Sequence, residues 1–171
     1  MAIKFNLALD TSEILSLEKS LGFTLPLIYR DFLIKTNGIS IIPPSFSNIK
    51  FDKVENGEIS FSYLFGHALA NTSLDILSTH REIGDEIDFL ENPVIIGEDG
   101  GGNFYVMLCR GESSNVYYWD RTHLHAEDEN LKYDIAEVGE CGHLYLVSNT
   151  FNDFCNLISD SLGGSPLTPS P

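Results

Sequence analysis

Residues 104–109, Phe-Tyr-Val-Met-Leu-Cys, are apolar on both parities, and no other run constrains the fold as strongly. A strand with one wet face alternates apolar and polar residues, whereas a strand covered on both faces reads as a continuous apolar stretch. The run therefore predicts a central strand buried on both sides. Before it, Val94, Ile95 and Ile96 form a short apolar run that ends in the turn Glu98-Asp99-Gly100-Gly101-Gly102-Asn103. After it, a turn over residues 111–115 leads into Val116, Tyr117, Tyr118 and Trp119. Strands joined by turns this short predict a mainly antiparallel sheet built from hairpins.

Helical signals flank the sheet. Asp10 followed by Glu13 has capping-box spacing, Ile14, Leu17 and Leu21 follow at helical spacing, and Gly22 supplies a stop. A second helix is expected to open at Pro26 and to end at Asn37-Gly38, with Ile28/Phe32 and Tyr29/Leu33 stacked at i,i+4. From 46 to 65 the apolar period changes to 2, and Asn56-Gly57 between the halves predicts a hairpin with a tight type I′ turn. Ser73 is placed to cap a short turn, and residues 79–90 read as a helix with an acidic outer face, closed by Pro93. Weaker strand signals occupy 135–138 and 143–147. Phe151, Phe154, Cys155, Ile158 and Leu162 then mark the final helix, capped by Asn149 or Thr150.

The expected fold class is α+β, with an N-terminal helical pair and a C-terminal helix packed on a twisted, mainly antiparallel sheet of about five to six strands. Residues 1–162 form the single domain, and 163–171, rich in Gly, Ser and Pro, are expected to be a flexible tail.

Charge narrows the choice of partner. Ten basic and twenty-five acidic side chains leave a formal charge of −15. Nucleic acid and membrane surfaces normally require clustered Lys and Arg, so neither is expected as a partner. Residues 82–140 hold fifteen Asp and Glu against Arg110, Arg121 and Lys132, and so carry −12 of the total. The opening residues lack a secretory h-region and no apolar run is long enough to span a bilayer, which predicts a cytoplasmic protein. Cys109, Cys141 and Cys155 are odd in number and lack CxxC spacing, so reduced thiols are expected rather than a disulfide framework.

No catalytic constellation emerges. The glycine turn could approach a phosphate, but it lacks the Lys-Ser/Thr of a P-loop, sits between strands and carries two carboxylates at its entrance. His123, His125, Cys141 and His143 can be drawn together as a zinc site, yet their spacing matches no established metal motif. No Ser occupies a G-x-S-x-G elbow, and none of the many carboxylates is singled out as an acid–base pair. No cofactor, metal or catalytic residue is expected, and a metal-dependent enzyme is the weakest of the readings considered.

Several blocks in order resemble a known family. Leu17, Glu18, Leu21, Gly22, Leu25, Pro26, Tyr29, Phe32, Leu33, Asn37 and Gly38 keep the spacing of the N-terminal signature of SUKH, or Smi1/Knr4-like, domains. Pro93 to Gly97 with Asp99 to Asn103, then Val116 to Asp120, then Ser148, Phe151 and Phe154 resemble three later blocks. Arg121 stands where many members carry His, and Asn103 where Asp is common. The resemblance spans roughly residues 13–160. It implies no catalysis. It implies an immunity protein directed against a polymorphic or contact-dependent bacterial toxin, often a nuclease, or a regulatory scaffold of the fungal type.

Together these readings point to a binding protein that is a monomer when free and whose partner is a cognate, basic toxin domain. The candidate partner-binding residues are Glu98, Asp99, Asn103, Tyr118, Asp120, Glu127, Asp128 and Glu129, the acids for charge complementarity and Tyr118 as an aromatic anchor.

Overall fold

A computed structural model describes residues 2–122 and 132–169. The helical pair forms as its end signals require. Helix α1 (Thr11–Leu21) has the complete Asp10/Glu13 capping box and ends on left-handed Gly22. Helix α2 (Leu27–Thr36) ends on Asn37, also left-handed. Pro26 lies one position earlier than expected, as the cap itself.

The main sheet is larger than the sequence indicated. Seven strands, β1 (Ile3–Phe5), β2 (Ile39–Ile41), β5 (Tyr63–Leu64), β6 (Pro93–Glu98), β7 (Phe104–Arg110), β8 (Ser113–Asp120) and β9 (His143–Ser148), lie side by side in that order. Every pairing in it is antiparallel. A separate two-stranded ribbon is formed by β3 (Ser47–Lys50) and β4 (Glu58–Phe61).

Both faces of β7 are covered, as its apolar run demands. The register pairs Phe104 with Trp119 and Tyr105 with Tyr118, so the two pairs point to opposite faces. Helix α4 (Phe151–Ser161), capped by Thr150, covers the tyrosine side, where the Phe154 ring lies 4.8 Å from that of Tyr105. Helix α3 (Ile76–Ile83) and the 3-10 turn Gly84–Ile87 meet the other side: Glu86 of the turn pairs with Arg121, whose guanidinium lies over Trp119 and Phe104.

Four expectations are corrected. The 46–65 hairpin exists, but its register pairs Lys50 with Glu58, so residues 51–57 form a long loop instead of a tight turn. Phe51 and Val54 explain this, because both bury their side chains in the core and draw the loop inward. The helix expected over 79–90 begins earlier, at Ile76 under an Asp75 cap, and tightens to 3-10 geometry at Gly84. Of the strand signal at 135–138 only an isolated bridge, Ile135 to Leu144, is formed. The terminal segment through Pro169 packs on the domain: Leu167 is only 6% exposed, beside Phe32 and Phe151.

Two buried side-chain polar atoms, the Tyr29 hydroxyl and His67 Nδ1, are left unsatisfied among the described residues. The Tyr29 hydroxyl is fully buried and finds no hydrogen-bond partner among the described residues, and burial raises its pKa well above the ordinary tyrosine value. An unpaired buried hydroxyl costs about 1–3 kcal/mol. Tyr29→Phe, which keeps the ring packed against Phe151, is therefore expected to raise stability by about 1 kcal/mol in urea unfolding. A loss of stability would show that the hydroxyl has a partner.

Candidate functional site

Asp99 organises the turn between β6 and β7. One carboxylate oxygen accepts from the backbone N–H of Gly101 (2.6 Å) and of Asn103 (3.1 Å). The other accepts from Asn103 Nδ2 and from the Tyr118 hydroxyl, both at 2.9 Å. Gly100 and Gly102 adopt φ of 81° and 98°, the left-handed region that glycine enters without steric cost. The N–H groups of Gly101 and Asn103, which a phosphate would use in such a turn, are thus directed at the protein's own carboxylate.

Asn103 passes the organisation on to the end of β8. Its Oδ1 accepts from Arg121 N, Thr122 N and Thr122 Oγ1, each at 3.0 Å. Arg121 is thereby held where its guanidinium stacks 4.9 Å from the Trp119 ring and makes two hydrogen bonds, of 2.6 and 3.2 Å, to Glu86. Trp119 donates its ring N–H to Cys141 O. Gly142, at φ 103°, packs so closely on Asp120 that a Cβ there would overlap the Asp120 carbonyl.

The structure brings Glu98, Asp99, Asn103, Tyr118 and Asp120 together, but not all on the surface. Asn103 is 0%, Tyr118 2% and Asp120 3% exposed. Their polar atoms hold the turn and the strand end together, which corrects the expectation that these three side chains face a partner. Burial, then the Asp99 charge, raises the Tyr118 pKa, so the phenol remains a neutral donor. Glu98 and Asp99 keep partial exposure. Glu127, Asp128 and Glu129 lie outside the described residues, as do His123 and His125. Among the described residues no group of three His, Cys, Asp or Glu side chains is arranged to hold a metal. Cys109 is buried, and burial pushes both its thiol and that of Cys155 up to about 12, so neither is a ready nucleophile.

The sequence model of the SMI1 / KNR4 family (SUKH-1) matches residues 8–157, from the start of the helical pair well into α4. The chain belongs to the SMI1 / KNR4 family. Among the described residues, the seven-stranded, mainly antiparallel sheet with four α-helices is consistent with the fold of that family. SMI1 / KNR4 members include immunity proteins and are generally non-enzymatic. No curated protein matches the chain significantly. No helix among the described residues is long and apolar enough to cross a membrane.

In the sequence Arg121 stands out only as a departure from the family pattern, and its stacking on Trp119 and pairing with Glu86 emerge in the fold. An Arg directly after an aromatic strand was the available signal, since a guanidinium stacks readily on Trp and Phe.

Among the described residues, neither Glu98 nor Asp99 forms an ion pair. Burial, and next the Asp99 charge, raises Glu98 above its ordinary value. A carboxyl with a raised folded pKa is penalised only when ionised. The penalty is absent below the unfolded value of 4.5 and complete above the raised one. Glu98→Gln is accordingly expected to stabilise at pH 7 and to be neutral at pH 3. The gain stays below about 1 kcal/mol because the group is half-solvated. Thermal melts at the two pH values check this, and an equal effect at both would contradict it.

Proposed function

We propose that the protein is an immunity protein that binds a cognate bacterial toxin domain and blocks its active site or substrate groove by steric and electrostatic occlusion. The concentration of acid in residues 82–140 carries this reading. Glu82, Asp85, Asp88, Glu91, Glu112, Asp134 and Glu140 are all exposed. Local pairing offsets only part of the charge, through Arg121 with Glu86, Arg110 with Glu91 and Lys53 with Asp134. A nuclease must present a basic groove to its substrate, and a surface of this sign competes for that groove while speeding capture. Family membership supports a non-enzymatic binding role.

The test is to purify the protein and the toxin domain encoded immediately upstream, then to measure association and protection. A complex is expected whose association rate falls at least about tenfold from low to high salt while its dissociation rate changes little. Absence of both binding and protection would overturn the reading.

A further inference from the structure

The chain crosses from the β3–β4 ribbon to the main sheet at Ser62, between β4 and β5. Between the two sheets lies an open crease of about 280 Å³ whose walls include Phe46, Ser47, Ser60, Ser62, Tyr63 and Asp99. Phe46 on its wall is 76% exposed, and Ile42 nearby in sequence is exposed as well. A large aromatic ring left in water beside a concave polar site has the character of an interface anchor. Among the described residues, Asp99 provides the only charge in the lining, and no Lys or Arg contributes to it. All four donors to the Asp99 carboxylate are neutral, and half-buried Glu98 adds a second negative charge one residue away. The crease thus combines an aromatic face, hydroxyl acceptors and uncompensated negative charge.

We propose that this crease is a docking groove for an arginine side chain of the protein's partner. A guanidinium is planar, stacks on an aromatic ring and donates several in-plane hydrogen bonds at once, whereas an ammonium offers a compact point charge. Phe46 supplies the stacking face. The Ser60 and Ser62 hydroxyls supply acceptors, and Asp99 with Glu98 supplies the field that favours a cation. The proposal rests on the reading of the chain as a binder of a basic partner, and it extends the contact surface of that complex from Glu98 and Asp99 in the acidic segment to Phe46, Ser60 and Ser62 outside it.

The test uses the full chain, ¹⁵N-labelled, titrated with an acetylated and amidated Gly-Arg-Gly peptide and with its Lys and citrulline counterparts. The Arg peptide is expected to shift the amide signals of Phe46, Ser47, Ser60 and Ser62, the Lys peptide to bind more weakly, and the neutral citrulline peptide to leave them unmoved. Phe46→Ala should weaken the Arg peptide about fivefold, the loss of one exposed cation–π contact, without lowering the melting temperature. Ser60→Lys should weaken it at least as much by adding a cation to the groove. Shifts spread over residues 82–140 with none at the groove, or affinities unchanged in both variants, would overturn the proposal. The same variants tested against the upstream toxin domain separate the two readings. A complex indifferent to Phe46→Ala and Ser60→Lys removes the groove and leaves the immunity function standing. Absence of any complex, with the peptide response intact, removes the immunity function and leaves the groove.

Discussion

Asn103→Asp is expected to cost about 3 kcal/mol at pH 7 and to recover most of that loss as the pH falls towards 4. Asn103 is fully buried, and its two side-chain ends do different work. The carbonyl end accepts three hydrogen bonds from Arg121 and Thr122, and an Asp could still accept them. The amide end donates to Asp99 Oδ2 at 2.9 Å, and there an ionised Asp would face a second carboxylate with no donor between them. Two carboxylates at hydrogen-bond distance cannot both ionise cheaply, so one of the pair takes up a proton at a raised pKa. With that proton the Asp can donate again. The sign follows: the folded variant binds its proton more tightly than the unfolded chain, so its penalty is full above the raised pKa and vanishes below the unfolded carboxylate range. Asn103→Ala serves as the contrast. It leaves the Arg121 and Thr122 N–H groups without their acceptor at any pH, a loss of similar size with no acid rescue. Urea unfolding of both variants between pH 4 and 7 distinguishes them. A variant Asp as stable as the parent at neutral pH would show that the Asp99–Asn103 contact is not made.

The same residue shows what was legible in the sequence. A turn needing glycine at 100 and 102 could be read from Glu98-Asp99-Gly100-Gly101-Gly102-Asn103, because positive φ is a local requirement. Helix ends were legible for the same reason: the Asp10/Glu13 box and the stop at Gly22 act within a few residues. Strand β1 was not, since three residues at the chain's start become a strand only through pairing with β2, more than thirty positions away. The direction of Tyr118 was also hidden. Alternation assigns Tyr118 and Trp119 to opposite faces, but it cannot say which face is wet when a helical layer covers each. Here both are buried, Tyr118 with its hydroxyl on Asp99 and Trp119 under Arg121. Of the candidate residues in the turn, Glu98 and Asp99 therefore keep the exposure that a partner could meet, and Asn103 does not. Phe46 carries no periodic signal, and its exposure follows from the ribbon splitting away from the main sheet, a tertiary event.

Gly97→Ala tests how that split is held and is expected to be among the most damaging single changes in the sheet. Gly97 pairs with Leu64 on one side and Tyr105 on the other, next to the irregularity at Ile95 in β6. Its φ is not in the left-handed region, so glycine is required here by space rather than by backbone conformation. An added Cβ would overlap the Tyr63 carbonyl and press on Leu64 Cδ2 at 3.2 Å. The obstruction is backbone, and it belongs to a strand joined to β6 by only two residue pairs, so relief means opening the β5–β6 seam. Overpacking of this kind costs about 3 kcal/mol when the neighbour cannot move. The hydrogen bonds from Ser62 N to Glu98 O and from Phe65 N to Ile96 O should open first, seen as faster amide exchange at those two positions. The crease beside Ser62 should lose its shape with them, and with it the response to the Arg peptide. Gly22→Ala is the matched control. It meets no atom within 4 Å and suffers only from its left-handed φ of 86°, so it should cost about 1 kcal/mol and leave exchange at Ser62 and Phe65 unchanged. Equal costs for the two substitutions would mean that β5 yields freely, and that the crease is not a fixed feature of the sheet.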